Sequence, residues 1–274
     1  MDNAVARRAI KRIASNNMRG NWLRSFLLII LTAIIQLVIF SFLPLRIPLE
    51  EELIAAGNDA MKILALYLPQ TITKRTIASF VVTALLYILV SCPLSVGTCR
   101  FFLKIAKGEQ AKLGDAFSVF CHLGTVFGSI WLNFLIALIS VFWTFLFMLV
   151  PILVTAFAVI MDAPLLTWVI YALSIGAAIF IILWTSRYTF ALYIYAEGEL
   201  GAFASLCEAI HLMRSRTGEC LTLRASYFLW DIVCYFIPPL SFVYSCLVNT
   251  VYAKYLEHLR GELFIKQEPP QTDM

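Results

Sequence analysis

A chain of 274 residues that is 61% hydrophobic and only 14% charged, with a mean hydropathy of +0.85, lies outside the soluble range of about 45–50% apolar and about 25% charged residues. Its formal charge of +4 is scattered between apolar runs, which leaves no basic polar domain for nucleic acid. The seven cysteines lie in or beside apolar segments without a CxxC pair, and the three histidines are scattered, so neither a disulfide framework, a metal cluster nor a cofactor is expected.

In chain order, residues 4–19 come first. Val5, Ala6, Ala9, Ile10 and Ile13 fall on one helical face, with Arg7, Arg8, Lys11 and Arg12 largely around the other. This pattern predicts an amphipathic helix lying on an anionic inner leaflet. The first span follows at about 25–43 and contains Gln36. It exceeds the 7–15 apolar residues of a signal peptide and no cleavage site follows it. Pro44 and Pro48 end it, and Glu50, Glu51 and Glu52 open a stretch that reads as a short helix over the membrane. The second span is predicted over 76–96, with Pro93 near its end, and Arg100, Lys104, Lys107 and Lys112 mark the next loop.

Leu113–Leu123 is short and amphipathic, and then comes the longest apolar region of the chain. Val126–Trp184 holds one ionisable residue, Asp162, within Asp162-Ala163-Pro164. It predicts a hairpin of spans at about 130–161 and 165–188. Val126–Met161 as one helix is about 54 Å long against about 30 Å of hydrocarbon, so Pro151 is a place to kink and the first turns are expected along the interface. Trp184, Tyr188, Tyr193 and Tyr195 read as an aromatic collar at the membrane–water boundary. Gly201–Arg214 is helix-like. Pro238-Pro239 divides Leu221–Tyr255 into two short arms, 221–237 and 240–256, before a polar cytoplasmic tail at 261–274. One kinked fifth span competes with this hairpin.

The fold class that results is all-α: a polytopic membrane bundle of six transmembrane helices with short interfacial helices, in one domain spanning 1–260. Lysine and arginine counting favours six spans, because seventeen then lie on the inner side and only Arg46, Lys62, Lys74 and Arg75 outside. Both termini are thereby expected in the cytoplasm. A coarse repeat supports the plan. Amphipathic segments at 4–19, 113–123 and 201–214 each precede an apolar pair, and Gly20, Gly124 and Gly218 follow them.

Polar groups inside spans are costly and are functional candidates by default. Asp231 lies about two turns beyond Arg224 on roughly the same face. It reads as the partner of Arg224 or Arg187 in a structural ion pair, or as part of a cation or proton path. Gln36, Asn133 and Asn249 can hydrogen-bond between helices. Gly124 and Gly128 form a small-xxx-small pair. No GxSxG, HExxH, P-loop or GxGxxG pattern occurs, and Glu197-Gly198-Glu199 reads as a solvated turn rather than an acid–base pair. No catalytic residue and no metal ligand is therefore assigned.

Arg100-Phe101-Phe102-Leu103, Lys107-Gly108-Glu109, Ala209-Ile210, Leu212-Met213 and the stretch Leu223–Trp230 together form a wider pattern. Over most of Trp22–Leu259 it resembles an uncharacterised bacterial multi-pass membrane family of Firmicutes type, domain of unknown function nine-seventy-five. The resemblance implies about six helices and a cytoplasmic-membrane location, and no activity. The expected function is that of a non-enzymatic scaffold, accessory subunit or envelope-homeostasis factor. Its expected partners are the lipid bilayer, through the anionic inner leaflet, and a membrane protein. A small transporter with Asp231 on its path is the alternative, and a lipid-acting enzyme the third reading.

Overall fold

The computed structural model describes residues 3–43, 74–160, 166–214, 216–227, 230, 233–234 and 236–267. Every regular element among them is helical and none is a strand. The expected helix after Glu50 and the turn at Asp162 lie outside the described residues.

Helix α1 (Asn3–Met18) turns through Arg19–Asn21 into α2 (Trp22–Ser41). Helix α3 (Lys74–Leu86) passes through a π-helical turn at Tyr87–Ser91 into α4 (Cys92–Ala106). A short α5 (Leu113–Phe117) and a 3-10 turn (Ser118–Cys121) lead to the 38-residue α6 (Leu123–Ile160). Helix α7 (Leu166–Thr185) returns alongside α6. Then come α8 (Ala191–Glu197), α9 (Ala202–Met213), α10 (Thr217–Ala225) and a 30-residue α11 (Pro238–Gln267). Among the described residues three stretches are long and apolar enough to cross a membrane: Trp22–Ser41, Lys74–Ala106 and Leu123–Thr155.

Packing divides the described helices into two zones. In the first, α4 is the hub and touches α1, α5, α6, α8 and α11. Its run of Phe101, Phe102, Leu103 and Ile105 presents apolar side chains around most of the helix, away from Arg100 and Lys104, and those four are buried. Met18, Ile194, Met213, Leu223 and Tyr255 close around it. Arg100 and Lys104, expected in a loop, are therefore helical. Arg100 Nη1 reaches Ser118 Oγ at 3.1 Å and Lys104 Nζ reaches Asp115 Oδ1 at 2.8 Å, so the cations escape the core through α5. The end of α4 is capped from outside: Asn17 Nδ2 and Lys254 Nζ both donate to the Ala106 carbonyl, at 2.8 and 3.1 Å.

The second zone is a fan of apolar helices. Leu23, Leu37 and Val38 of α2, Phe80 and Val81 of α3, Val141, Phe142 and Phe145 of α6, and Trp168 and Ile175 of α7 all stand exposed. Only 6% of the most apolar window of Leu123–Thr155 is buried. Water tolerates contiguous apolar patches of a few hundred Å². A surface of this extent needs hydrocarbon around it.

The two zones explain the length of α6, about 57 Å at helical rise. Its first turns expose Leu123 and Phe127 on one side and pack on the other. Ser129 and Leu132 are fully buried against the packed zone, while residues from Val141 onward join the fan. The hairpin with α7 is closed by rings: Trp143 lies 4.3 Å from Trp184 and Phe147 lies 4.6 Å from Phe180. Tyr188, Tyr193 and Tyr195 are not an interfacial collar. All three are buried, and their hydroxyls bond within the protein to Trp184, Asn249 and Thr125.

The last apolar block pairs with itself. Tyr255 Oη bonds Glu219 Oε2 at 3.2 Å, and Tyr244 Oη bonds the Tyr227 carbonyl at 3.1 Å. Falling residue numbers on one arm meet rising numbers on the other, the signature of an antiparallel pair. Helix α11 continues to Gln267, into the stretch expected as a tail.

Candidate functional site

A cavity of about 420 Å³ lies in the fan between α2, the π-helical turn, α4 and α6. Gln36, Tyr87, Ser91, Cys92, Ser95 and Asn133 supply its polar wall, and Ile88, Ile130 and Phe134 are among its apolar ones. Two residues singled out from sequence, Gln36 and Asn133, thus meet at one place although 97 positions separate them.

The π turn has a local cause. Pro93 has no backbone N–H, so the carbonyl four residues earlier, at Leu89, loses its donor. The helix widens by one residue over Tyr87–Ser91, immediately before the proline. That extra residue turns Ser91 inward. Its side chain is 5% exposed, and among the described residues its Oγ has no hydrogen-bond partner. An orphaned buried hydroxyl costs about 1–3 kcal/mol, which a ligand would recover. Asn133 Nδ2 donates to the Ser129 carbonyl at 2.9 Å and leans towards the Cys92 carbonyl at 3.5 Å. None of the lining residues is charged.

Depth follows from the helical rise. Ser91 is about 25 Å along the rod from Lys74 and about 20 Å from Lys104, so it sits in the middle of the span. Sequence reasoning missed Ser91, Cys92 and Ser95. The signal that was available was the small polar pair directly before Pro93.

The other sequence candidates lie apart from this cavity. Asn249 is satisfied at both ends, accepting from Tyr193 Oη at 2.9 Å and donating to the Ser245 carbonyl at 2.9 Å. The Arg187 guanidinium lies 4.2 Å from the Trp184 ring centroid, and among the described residues its buried Nε has no acceptor. Arg224 is exposed in the last turn of α10. Asp231 lies outside the described residues. Gly128 faces the ring of Tyr195, whereas Gly124 has open space around it.

Glu197-Gly198-Glu199 is a turn, with Gly198 at φ 86° ending α8. Glu197 nevertheless points inward, where it pairs with Arg260 and lies 3.8 Å from Lys107. Arg260 also reaches Glu208 at 2.7 Å. Burial, then the charge of Glu199, push the Glu208 carboxyl up even with that partner in place. These carboxylates are committed to joining α8, α9 and α11. Among the described residues no three histidines, cysteines or carboxylates gather as metal ligands, and all seven cysteines are unbridged.

No family model, curated protein or solved structure matches the chain.

Proposed function

We propose that this chain is a non-enzymatic, multi-pass accessory subunit of a bacterial cytoplasmic membrane, and that its mid-depth cavity receives a polar side chain from a partner transmembrane helix. One observation carries the reading: a buried, unpartnered Ser91 hydroxyl beside Asn133 and Gln36 in an uncharged cavity at mid-span. At that depth a neutral hydrogen-bonding group belongs to a helix rather than to a lipid headgroup. Interhelical bonds of this kind contribute about 0.6–2 kcal/mol. The commitment of Glu197, Glu208 and Asp115 to ion pairs supports a structural over an acid–base role.

Six spans with both termini in the cytoplasm fit the packed zone. Asn17, Ala106, Glu197, Glu219, Lys254 and Arg260 are tied together there, so each intervening block must leave the zone and return. This supports the hairpin over a single kinked fifth span, and it agrees with the family resemblance. Transport is the second reading, favoured by the π turn at mid-depth, with Asp231 as its acid.

The test is a photo-crosslinking phenylalanine analogue at Phe134, on the cavity wall, in native membranes. A crosslinked peptide from a polar transmembrane helix of another protein is expected, and it should vanish in the double variant Ser91→Leu, Asn133→Leu. Adducts to lipid alone would overturn the reading.

A further inference from the structure

A second cavity, of about 270 Å³, lies on another side of the molecule and is lined by Trp22, Tyr227, Trp230, Leu240, Val243, Tyr244 and Leu247. Its wall is aromatic and aliphatic, and it opens to the surface beside the half-exposed Trp230. Tyr227 forms part of that wall and carries a cation on its ring. Lys11 Nζ lies 4.4 Å from the Tyr227 ring centroid and donates to Ser226 Oγ at 2.7 Å. Among the described residues Lys11 has no carboxylate partner. Arg7, one turn earlier on α1, donates to Thr222 Oγ1. Burial, and then the neighbouring charge of Arg7, hold the Lys11 ammonium below its usual value.

We infer that Lys11 and the adjoining aromatic pocket form a binding site for one anionic phospholipid of the inner leaflet, with the phosphate at Lys11 and an acyl chain against Trp22, Tyr227 and Trp230. Charge complementarity selects the occupant. A zwitterionic lipid carries its own ammonium to the same place and gains less from Lys11. The level is right as well, because α1 is the basic interfacial helix and Trp22 opens the first apolar span. The site rests on the membrane reading given above and adds a defined ligand to it.

The experiment uses the full chain purified in mild detergent. Native mass spectrometry measures retention of phosphatidylglycerol against phosphatidylethanolamine with identical acyl chains. About fivefold preference for phosphatidylglycerol is expected from one surface cation. Lys11→Gln should abolish the preference, Lys11→Arg should keep it, and Trp230→Ala should weaken retention of both lipids. Equal retention of the two lipids by the wild type, or a preference untouched by Lys11→Gln, would overturn the site. So would displacement of the lipid by millimolar inorganic phosphate, which would mark an anion site without an acyl component. If Lys11→Gln does not fold, Trp230→Ala decides alone, and unchanged retention there overturns the proposal. Alkaline carbonate extraction of native membranes keeps the two levels apart. Release of the wild-type chain would sink the membrane reading itself, whereas retention with no lipid preference would sink only this site.

Discussion

Gly97 is where a single hydrogen atom decides the packing of α4 on α5. A Cβ built there overlaps the backbone carbonyl of Ala116, which has no rotamer to move aside. Gly97→Ala should therefore lower thermal stability in detergent by about 1–3 kcal/mol through overpacking. Gly176, exposed on α7 with nothing within 4 Å, is the control. Gly176→Ala should leave the melting temperature unchanged or raise it, and equal losses in the two variants would remove the packing explanation. Asp115 makes a pH prediction at the same scale. Burial pushes its carboxyl up, but hydrogen bonds from Lys104 Nζ and the Lys112 backbone N–H, with the charges of both lysines, outweigh burial and hold it below the usual range. A carboxylate depressed in the folded state adds stability above its unfolded value, near pH 3.9, and loses that contribution as pH falls through the folded value. The melting-temperature gap between wild type and Asp115→Asn should be constant above about pH 5 and should close below about pH 4. A gap that persists in acid would mean that shape, rather than charge, holds α5.

The helices show what was legible in the residues and what was not. The long apolar pair was readable because hydrophobic length is a one-dimensional signal, and α6 and α7 lie where Val126–Trp184 placed them. The fate of Arg100 and Lys104 was not readable. A charge in a sequence marks a loop only if its helix has no neighbour to carry it, and α5 supplies that neighbour through Asp115 and Ser118. Tyr193 and Tyr195 misled for a related reason. Aromatic spacing at the end of a span is the same for an interfacial belt and for a buried hydroxyl with an internal acceptor. The cavity was half legible: Gln36 and Asn133 were visible as polar residues in spans, but their meeting depends on the π turn that Pro93 imposes. At this scale the ring zipper of the α6–α7 hairpin offers a direct test. Trp143→Ala removes the contacts to Trp184 and Phe147 and should cost about 1–3 kcal/mol, since the ring is only partly buried. Fluorescence of the remaining tryptophans against temperature should show the lower transition. An unshifted transition would place the strength of the hairpin in its backbone packing.

At the scale of the molecule, the described helices form one packed layer and a fan of exposed apolar helices. Three amphipathic segments, seen in the sequence as a faint repeat, contribute to that layer: α1 and α5 pack on α4, and α9 packs on α8 and α6. The layer ties residues from every part of the chain: Asn17 and Lys254 to Ala106, Glu197 to Arg260, and Glu219 to Tyr255. Groups in direct contact share one side of the membrane. The ends of α1, α4, α8 and α11 therefore lie on one side, and the proposed six-span plan, with its excess of inner lysine and arginine, puts that side in the cytoplasm. Cysteine accessibility in intact cells and inverted vesicles, on a background freed of the native cysteines, measures this directly. Cysteines at Glu109, Ser215 and Gln267 should react only from the cytoplasmic side, and those at Asn58 and Asp162 only from outside. Labelling of Gln267 from outside would break the shared layer, restore a single kinked fifth span, and contradict the six-span plan.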